Sequence, residues 1–573
     1  MRHMPSPLRT SRVTAAAILL AATSITLSAR QTPQPRAIDD ATLLKPAPGD
    51  WVNPGRDYAE THHSPLTQID QSNVSRLAPA WSVEVGSQGK IETTPIVANG
   101  VLYGTSTYSV VYAVDARTGA LKWRWDPALV KGGIADGAAR FCCGPVNRGV
   151  AIYKDKVYVG LLDGRLVALN AETGHVAWAV QTTPVGKDYS ITGAPRIVKG
   201  KVVIGNGGGE YGVRGFLTAY DAETGKQAWR WWVVPGDPAK GLEDRSMEMA
   251  LKSWKGEWWQ YGGGGTPWDG ISYDPEANLV YVGTGNGSPW ARDHRSDGTG
   301  DNLYLSSIVA LNADTGRYVW HYQTTPGDDW DYNAAQQMIL TDLTINGKPR
   351  RVLLQAPKNG FFYVIDRLSG ELLSAQPFTT VTWATHIDMK TGRPVETPEA
   401  RYGTKAVRLS PSAVGAHHWP PMAMNPATGL VYFPGQDTSM VYQNVEKFDF
   451  QEGQWNTGTV RGGAGAAVAS APTPPPMRGF FLAWDPVENK ERWRIEFRPS
   501  GGALSTSGQL VFVGDSGGTF YALDAATGRT LWQHKLMTGV ATPVSYEIDG
   551  KQYIAVMSGV AGGKVFAFTL DGK

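Results

Sequence analysis

Short alternating apolar runs recur along the chain, and the same polar turn follows each of them. Val110-Val-Tyr-Ala-Val114 leads into Asp115-Ala-Arg-Thr-Gly119 and then Trp123, and Leu166-Val-Ala-Leu169 leads into Asn170-Ala-Glu-Thr-Gly174 and Trp178. The unit returns at Asp221 to Trp229, Asn312 to Trp320 and Asp524 to Trp532, with degenerate copies at Asp366-Arg-Leu-Ser-Gly370 and at Asp485 with Trp493. Alternation of period two, closed by a glycine-containing polar turn, predicts a β-hairpin. The Asp or Asn side chain caps the turn, the glycine supplies a positive φ, and the tryptophan docks against the neighbouring unit. Successive copies are 55 residues apart (115 to 170), then 51 (170 to 221), 91 (221 to 312) and 54 (312 to 366). Such a period, with several strands in each unit, predicts an all-β chain folded as a β-propeller. The 91-residue gap is expected to hold a blade whose motif has eroded, around Gly262 to Asn286, which brings the count to eight blades. An N-terminal arm, Trp51 to Val85, is expected to end in a strand near 80–85 that completes the last blade and closes the ring.

Composition agrees with many tight turns and a repeated packing position: Gly 67, Pro 37 and Trp 21 in 573 residues. The charge balance, 54 basic against 52 acidic residues for a net +2, gives no electrostatic case for a nucleic acid or a membrane surface. At the N-terminus, Arg2, Arg9 and Arg12 precede an apolar run from Val13 to Leu27 that ends at Ser28-Ala29. Residues 1–29 therefore predict a secretory signal peptide, too short for a spanning helix, with a periplasmic address for the propeller at 30–573. No later apolar run is long enough to span a membrane. Residues 452–478, rich in Gly, Ala and Pro, predict a long flexible loop of the kind that covers pockets.

Several residues are not explained by the repeat. The only two cysteines, Cys142 and Cys143, are adjacent in Arg140-Phe-Cys-Cys-Gly-Pro-Val-Asn-Arg148-Gly149. They are either two buried thiols or a strained eight-membered ring. Such a ring closes no loop and so constrains little unfolded-chain entropy, which points to a local role at a site.

The vicinal pair, followed five residues later by Arg148, resembles the pyrroloquinoline quinone (PQQ)-dependent alcohol dehydrogenases of the quinoprotein methanol/ethanol dehydrogenase type. The likeness runs from Gly55-Arg-Asp-Tyr-Ala-Glu60 to Asp549-Gly-Lys-Gln-Tyr-Ile-Ala-Val556. PQQ is a planar tricarboxylate, so its pocket needs flat faces, a polar rim and a divalent cation. The resemblance implies that Trp268 supplies one face and a Cys142–Cys143 ring the other. It places Glu92, Arg148, Thr192, Gly207, Gly208, Gly209 and Thr266 at the rim. It implies Glu210, Asn286 and Asp331 as calcium ligands, Asp331 also as catalytic base, and Lys358 as a cation beside the reactive carbonyls. Singly, each of these residues reads as a turn cap or a surface group; together they are all hard oxygen donors or cofactor contacts. Many relatives have serine and alanine where this chain has Gly207 and Gly209, which removes a hydroxyl contact. Lanthanide-using relatives carry an aspartate two residues after the base; Asn333 stands there in this chain, so Ca²⁺ is favoured over a lanthanide. His418 departs from relatives that have asparagine.

The implied reaction is oxidation of a small alcohol to an aldehyde or ketone. Asp331 takes the hydroxyl proton, a hydride passes to PQQ under the polarising effect of Ca²⁺, and electrons go singly to a soluble cytochrome c. No Gly-x-Gly-x-x-Gly opens a helix after a strand, so no nicotinamide is expected. No Cys-x-x-Cys-His is present, so a form without a fused haem domain is expected. Two alternatives stand beside this reading: the same enzyme acting on a sugar, polyol or bulky secondary alcohol, and a non-catalytic propeller scaffold that would need only the tryptophan repeat. A homodimer is left open.

Overall fold

Every hairpin expected from the repeat forms, and each belongs to a sheet of four antiparallel strands; in one of these, His63–Ser64 adds a fifth, parallel strand beside Leu504–Thr506. The computed structural model describes residues 1, 36–129, 144–460 and 477–572. Blade 1 pairs Ile96–Ala98, Val101–Thr105, Val111–Asp115 and Leu121–Trp125 in chain order. Six further blades follow over 151–181, 196–232, 271–323, 339–377, 423–496 and 504–535. In blade 8, Val544–Ile548, Lys551–Ser558 and Lys564–Leu570 are joined by Leu77–Glu84, with Leu77 opposite Leu570 and Glu84 opposite Lys564. The ring of eight is thus closed by the N-terminal strand, as expected. Among the described residues no helix is long and apolar enough to cross a membrane.

The eroded blade is not where the spacing put it. Ile271–Asp274 and Leu279–Gly283 are the first two strands of the blade whose third strand, Ser307–Asn312, leads into the Asn312 turn. The gap is long because of two excursions. One, between blades 3 and 4, contains the helix Arg245–Leu251 and buries Trp254 and Trp258; the other, inside blade 4, contains the helix Arg292–Ser296. The blade without a motif is the eighth, whose outer strand comes from the other end of the chain. The flexible loop expected at 452–478 lies within an insertion between paired strands Leu430–Asp437 and Arg478–Asp485, and its residues 461–476 lie outside the described residues.

The repeat works by docking each tryptophan on the next blade's turn. Asp115 Oδ1 accepts hydrogen bonds from the Arg117 and Thr118 amides, and Gly119 takes φ 78°. A Cβ on Gly119 would lie 2.7 Å from the Trp81 ring, and one on Gly174 the same distance from Trp123, so the indole rests where only glycine leaves room. The indole N–H then donates to a carbonyl of that turn: Trp123 to Ala171, Trp178 to Ala222, Trp229 to Ala313. Trp532 of blade 7 donates to Leu77 O of blade 8, which carries the pattern across the closure. Trp229 is 7% exposed; Trp229→Ala is expected to destabilise the chain by about 3–5 kcal/mol, read as a lowered urea midpoint, through the cavity and the lost bond. An unchanged midpoint would remove docking as a stabilising device.

The arm does more than supply a strand. Trp51 exchanges backbone hydrogen bonds with Val97 of blade 1, and the carbonyls of Ala59, Thr61 and His62 accept from Leu340, Met424 and Ser505 in the innermost strands of blades 5, 6 and 7. Glu60 receives the Arg196 guanidinium of blade 3 at 2.6 and 3.1 Å. Residues 51–64 thus bridge blades that are far apart in the ring, on its axial side.

Candidate active site

In an antiparallel blade, the loop from second to third strand and the link from the fourth strand to the next blade emerge on one face, opposite the capped turns. Links carry Glu92, Arg148, Thr192, Thr266, Trp268, Asp331 and His418; second-to-third loops carry Gly207 to Glu210, Asn286 and Lys358. These residues come from loops of three blades and from six links between blades. A cavity of about 560 Å³ gathers Arg148, Thr192, Gly207, Gly208, Glu210, Thr266, Trp268, Asn286, Asp331 and Lys358 on its wall. Gly209 adjoins them, and Glu92 stands behind Arg148 on the wall of a smaller cavity. Cys142 and Cys143 lie outside the described residues.

Local backbone geometry aims the polar groups. Gly208 takes φ 106°, and a Cβ there would sit 2.4 Å from the Asp188 carbonyl oxygen, so only glycine lets this loop turn Glu210 inward. Asp331 is itself left-handed at φ 65°, an uncommon conformation for a residue with a Cβ. Asp328 Oδ1 holds it there by accepting from the Trp330 and Tyr332 amides at 3.2 and 2.9 Å, between two fully buried rings.

The carboxylates are buried and tethered. Lys358 Nζ donates to Asp331 Oδ2 at 2.8 Å, and Asn333 Nδ2 donates to Oδ1 at 3.1 Å. Asn286 Nδ2 and Trp290 Nε1 both donate to Glu210 Oε1, at 2.8 and 3.1 Å. Burial pushes the Asp331 carboxyl up to about 8; Lys358 opposes the shift, and the negative charges of Glu210 and Asp328 add to it. Arg148 Nη1 donates to Thr192 Oγ1 at 2.7 Å, and its guanidinium lies 5.0 Å from the Trp268 ring centroid. His418 stacks on Trp268 at 5.4 Å and 20°. Desolvation, with Lys358 and Arg148 nearby, holds its imidazole well below the ordinary range, so it is neutral.

These groups fit a hard cation beside a planar polyanion. Burial and the charge of Glu210 make a charged Asp331 costly, which calls for a positive ion beside it, and oxygen donors suit Ca²⁺. Asn286 would offer Oδ1 to that ion only with its amide turned end for end, which gives up its bond to Glu210. Trp268 offers a flat face, and Arg148, Lys358 and Lys90 are cations on the same wall. Lys90, Trp290, Trp419 and Trp455 line the cavity but carry no signal in the repeat. Trp419 is the neighbour of His418, and Trp290 follows Asn286 in the same loop; those adjacencies were the only sequence pointers to them.

Residues 51–382 match the family model for the glucose/ethanol/alcohol dehydrogenase β-propeller domain. The chain belongs to the PQQ-dependent quinoprotein alcohol dehydrogenase family. Residues 437–573 also match the model for the outer membrane protein assembly factor BamB. The chain is 49% identical to the quinohemoprotein alcohol dehydrogenase ADH IIB of Pseudomonas putida, across 100% of this chain and 83% of that protein. It is 43% identical to the 1-butanol dehydrogenase (cytochrome c) of Thauera butanivorans, across 92% of this chain and 79% of that protein. Among solved structures, the quinohemoprotein alcohol dehydrogenase ADHIIG of Pseudomonas putida superposes with a TM-score of 0.88 at 47% identity, covering 94% of this chain and 83% of that one. A europium-containing methanol dehydrogenase superposes at 0.83 with 35% identity, over 92% of this chain and 99% of that one. Membership of this family and the eight-bladed ring agree.

Proposed function

We propose that the protein oxidises an alcohol to an aldehyde or ketone in the periplasm, using PQQ and Ca²⁺ bound in the 560 Å³ cavity, and passes the electrons to an external cytochrome c. The observation that carries this reading is the convergence of Glu210, Asn286, Asp331 and Lys358 beside Trp268 in one buried cavity. A scaffold built on the tryptophan repeat has no use for that cluster.

When bound, PQQ supplies the hydride-accepting carbon and the ion polarises its carbonyl. The chain's residues do the rest. Glu210, Asn286 and Asp331 would hold the ion, Trp268 would offer its face to the cofactor, and Arg148 with Thr192 would bind its carboxylates. Asp331 takes the alcohol proton on a carboxylate oriented by Lys358 and Asn333. Lys358 then offsets negative charge as it develops. Ala413, Val414, Pro434 and Trp455 on the same wall favour an alkyl or aryl alcohol over a sugar. The reading assigns the acceptor to a cytochrome c, the acceptor that the Thauera butanivorans relative's name gives for that enzyme.

The test is dye-linked oxidation of primary, secondary and polyhydric alcohols by purified apo-protein, with PQQ and Ca²⁺ added singly and together. Activity that needs both, and is highest on apolar alcohols, is expected. Failure to take up PQQ in the presence of Ca²⁺ would return the scaffold reading.

A further inference from the structure

A second cavity, of about 30 Å³, lies on the far side of Arg148. Its wall includes Glu60 and His62 of the arm with Glu92, Arg148 and Asp269, while Trp419 borders both this cavity and the larger one. Three buried polar atoms on this wall have no hydrogen-bond partner among the described residues: Arg148 Nε, Glu92 Oε2 and His62 Nδ1. Arg148 Nη2 does lie 2.9 Å from Glu92 Oε2, close enough for an ion pair but not directed as a hydrogen bond. Asp269 Oδ2 stands 3.9 Å from Arg148 Nε, too far for a direct bond, so a water set to the side in the chamber could bond to both. A buried water needs roughly 10–15 Å³ of such space and two to four polar partners. The chamber therefore has room for two, and its wall supplies donors and acceptors that are otherwise orphaned.

The charges explain why Arg148 needs help from this side. Glu60 is committed to Arg196, at 2.6 and 3.1 Å. Arg148 is left to face Glu92 and Asp269, while its Nη1 reaches forward to Thr192 on the cofactor wall. With Nη1 bonded to Thr192 and Nη2 ion-paired with Glu92, Nε is the guanidinium nitrogen left unused, and an anchor there completes the hold on the plane.

We propose that the chamber holds buried water linking Asp269 to Arg148 Nε, and that Asp269 is thereby a positioning residue for the cofactor's carboxylate-binding arginine. The inference rests on the PQQ reading and extends it to a residue that does not touch the cofactor. Two variants test it by equilibrium titration of PQQ into apo-protein in Ca²⁺. Asp269→Asn, which keeps the shape and removes the charge, is expected to weaken PQQ binding about tenfold, the scale on which outer partners tune bound groups. Asp269→Glu, long enough to reach Nε directly, is expected to restore binding to within about threefold of the native protein. Ala194→Val fills the chamber while leaving every charge in place, and is expected to weaken binding as Asp269→Asn does. A crystal structure of the native holo-protein should show water density between Asp269 and Arg148. Unchanged or tighter PQQ binding in Asp269→Asn overturns the proposal, tighter binding because it would mean that Asp269 only offsets charge. If that variant fails to fold, native-like binding by Ala194→Val overturns the water link. If the native protein itself takes up no PQQ, the proposed function fails instead, and the two outcomes are distinct.

Discussion

Asp331→Asn is expected to lower the turnover number about 10³-fold with PQQ still bound, in the range a removed general base costs. Asparagine matches aspartate in shape and still offers an oxygen to a cation, so the pocket keeps its volume and most of its donor set. It cannot accept the hydroxyl proton. Lys358 would lose the carboxylate it holds at 2.8 Å and would remain buried, at 4% exposure, without its counter-charge. Some loss of stability therefore accompanies the loss of rate, because an unpaired buried ammonium is costly. The two effects are separated by measuring turnover at saturating alcohol and PQQ on folded protein, with the absorption of bound PQQ as a loading control. A loaded variant that keeps more than about a tenth of native turnover would move the base elsewhere. The left-handed backbone at Asp331, braced by Asp328, makes this aim hard to supply from a neighbouring residue.

The propeller was legible because its signal is local. An Asp or Asn, a glycine four residues on and a tryptophan four beyond that fix one hairpin, and the docking that joins blades repeats that hairpin's geometry. What is remote in sequence was not legible in the same way. Blade 8 takes its outer strand from Leu77–Glu84, almost the whole chain away from Lys564–Leu570; a closing strand near 80–85 was expected, but no spacing rule shows that the blade it completes is the one without a motif. The missing motif was consequently assigned to the 221–312 gap, which two excursions lengthen. The arm's bonds to blades 5, 6 and 7 come from backbone carbonyls, which leave no side-chain signature. In the site, family likeness named residues one at a time, but only the fold showed that Glu92 stands behind Arg148 and shares a chamber with Asp269 and His62. Asp269 directly follows Trp268 and still carried no mark of its own, because its partner, Arg148, lies on a different link between blades.

Chelation of the bound cation is expected to cost activity on the order of 10²–10³-fold, with Ca²⁺ restoring it better than an equal concentration of a lanthanide. The donor set explains both halves. Glu210 and Asp331 are buried carboxylates, and burial with the nearby charge of Glu210 pushes the Asp331 carboxyl up to about 8, so keeping it charged is costly. A cation between them lowers that cost and frees Asp331 for proton transfer. The same charge count limits how much positive charge the site can use. Lys358 already offsets Asp331 from the other side, and residue 333 is a neutral asparagine whose Nδ2 donates to Asp331 Oδ1. Two carboxylates with one ammonium beside them suit a divalent ion; a trivalent one would be left short of negative partners in a desolvated pocket. Asn333→Asp supplies the missing charge and is expected to shift the preference toward the lanthanide, although Gln336, which donates to Asn333 Oδ1, stays in place. The measurement is reactivation of chelated protein by each ion, native against variant, at fixed PQQ. Equal reactivation of the native protein by Ca²⁺ and a lanthanide would show that Lys358 does not enter the charge balance, and activity that survives chelation with PQQ bound would remove the cation from the site.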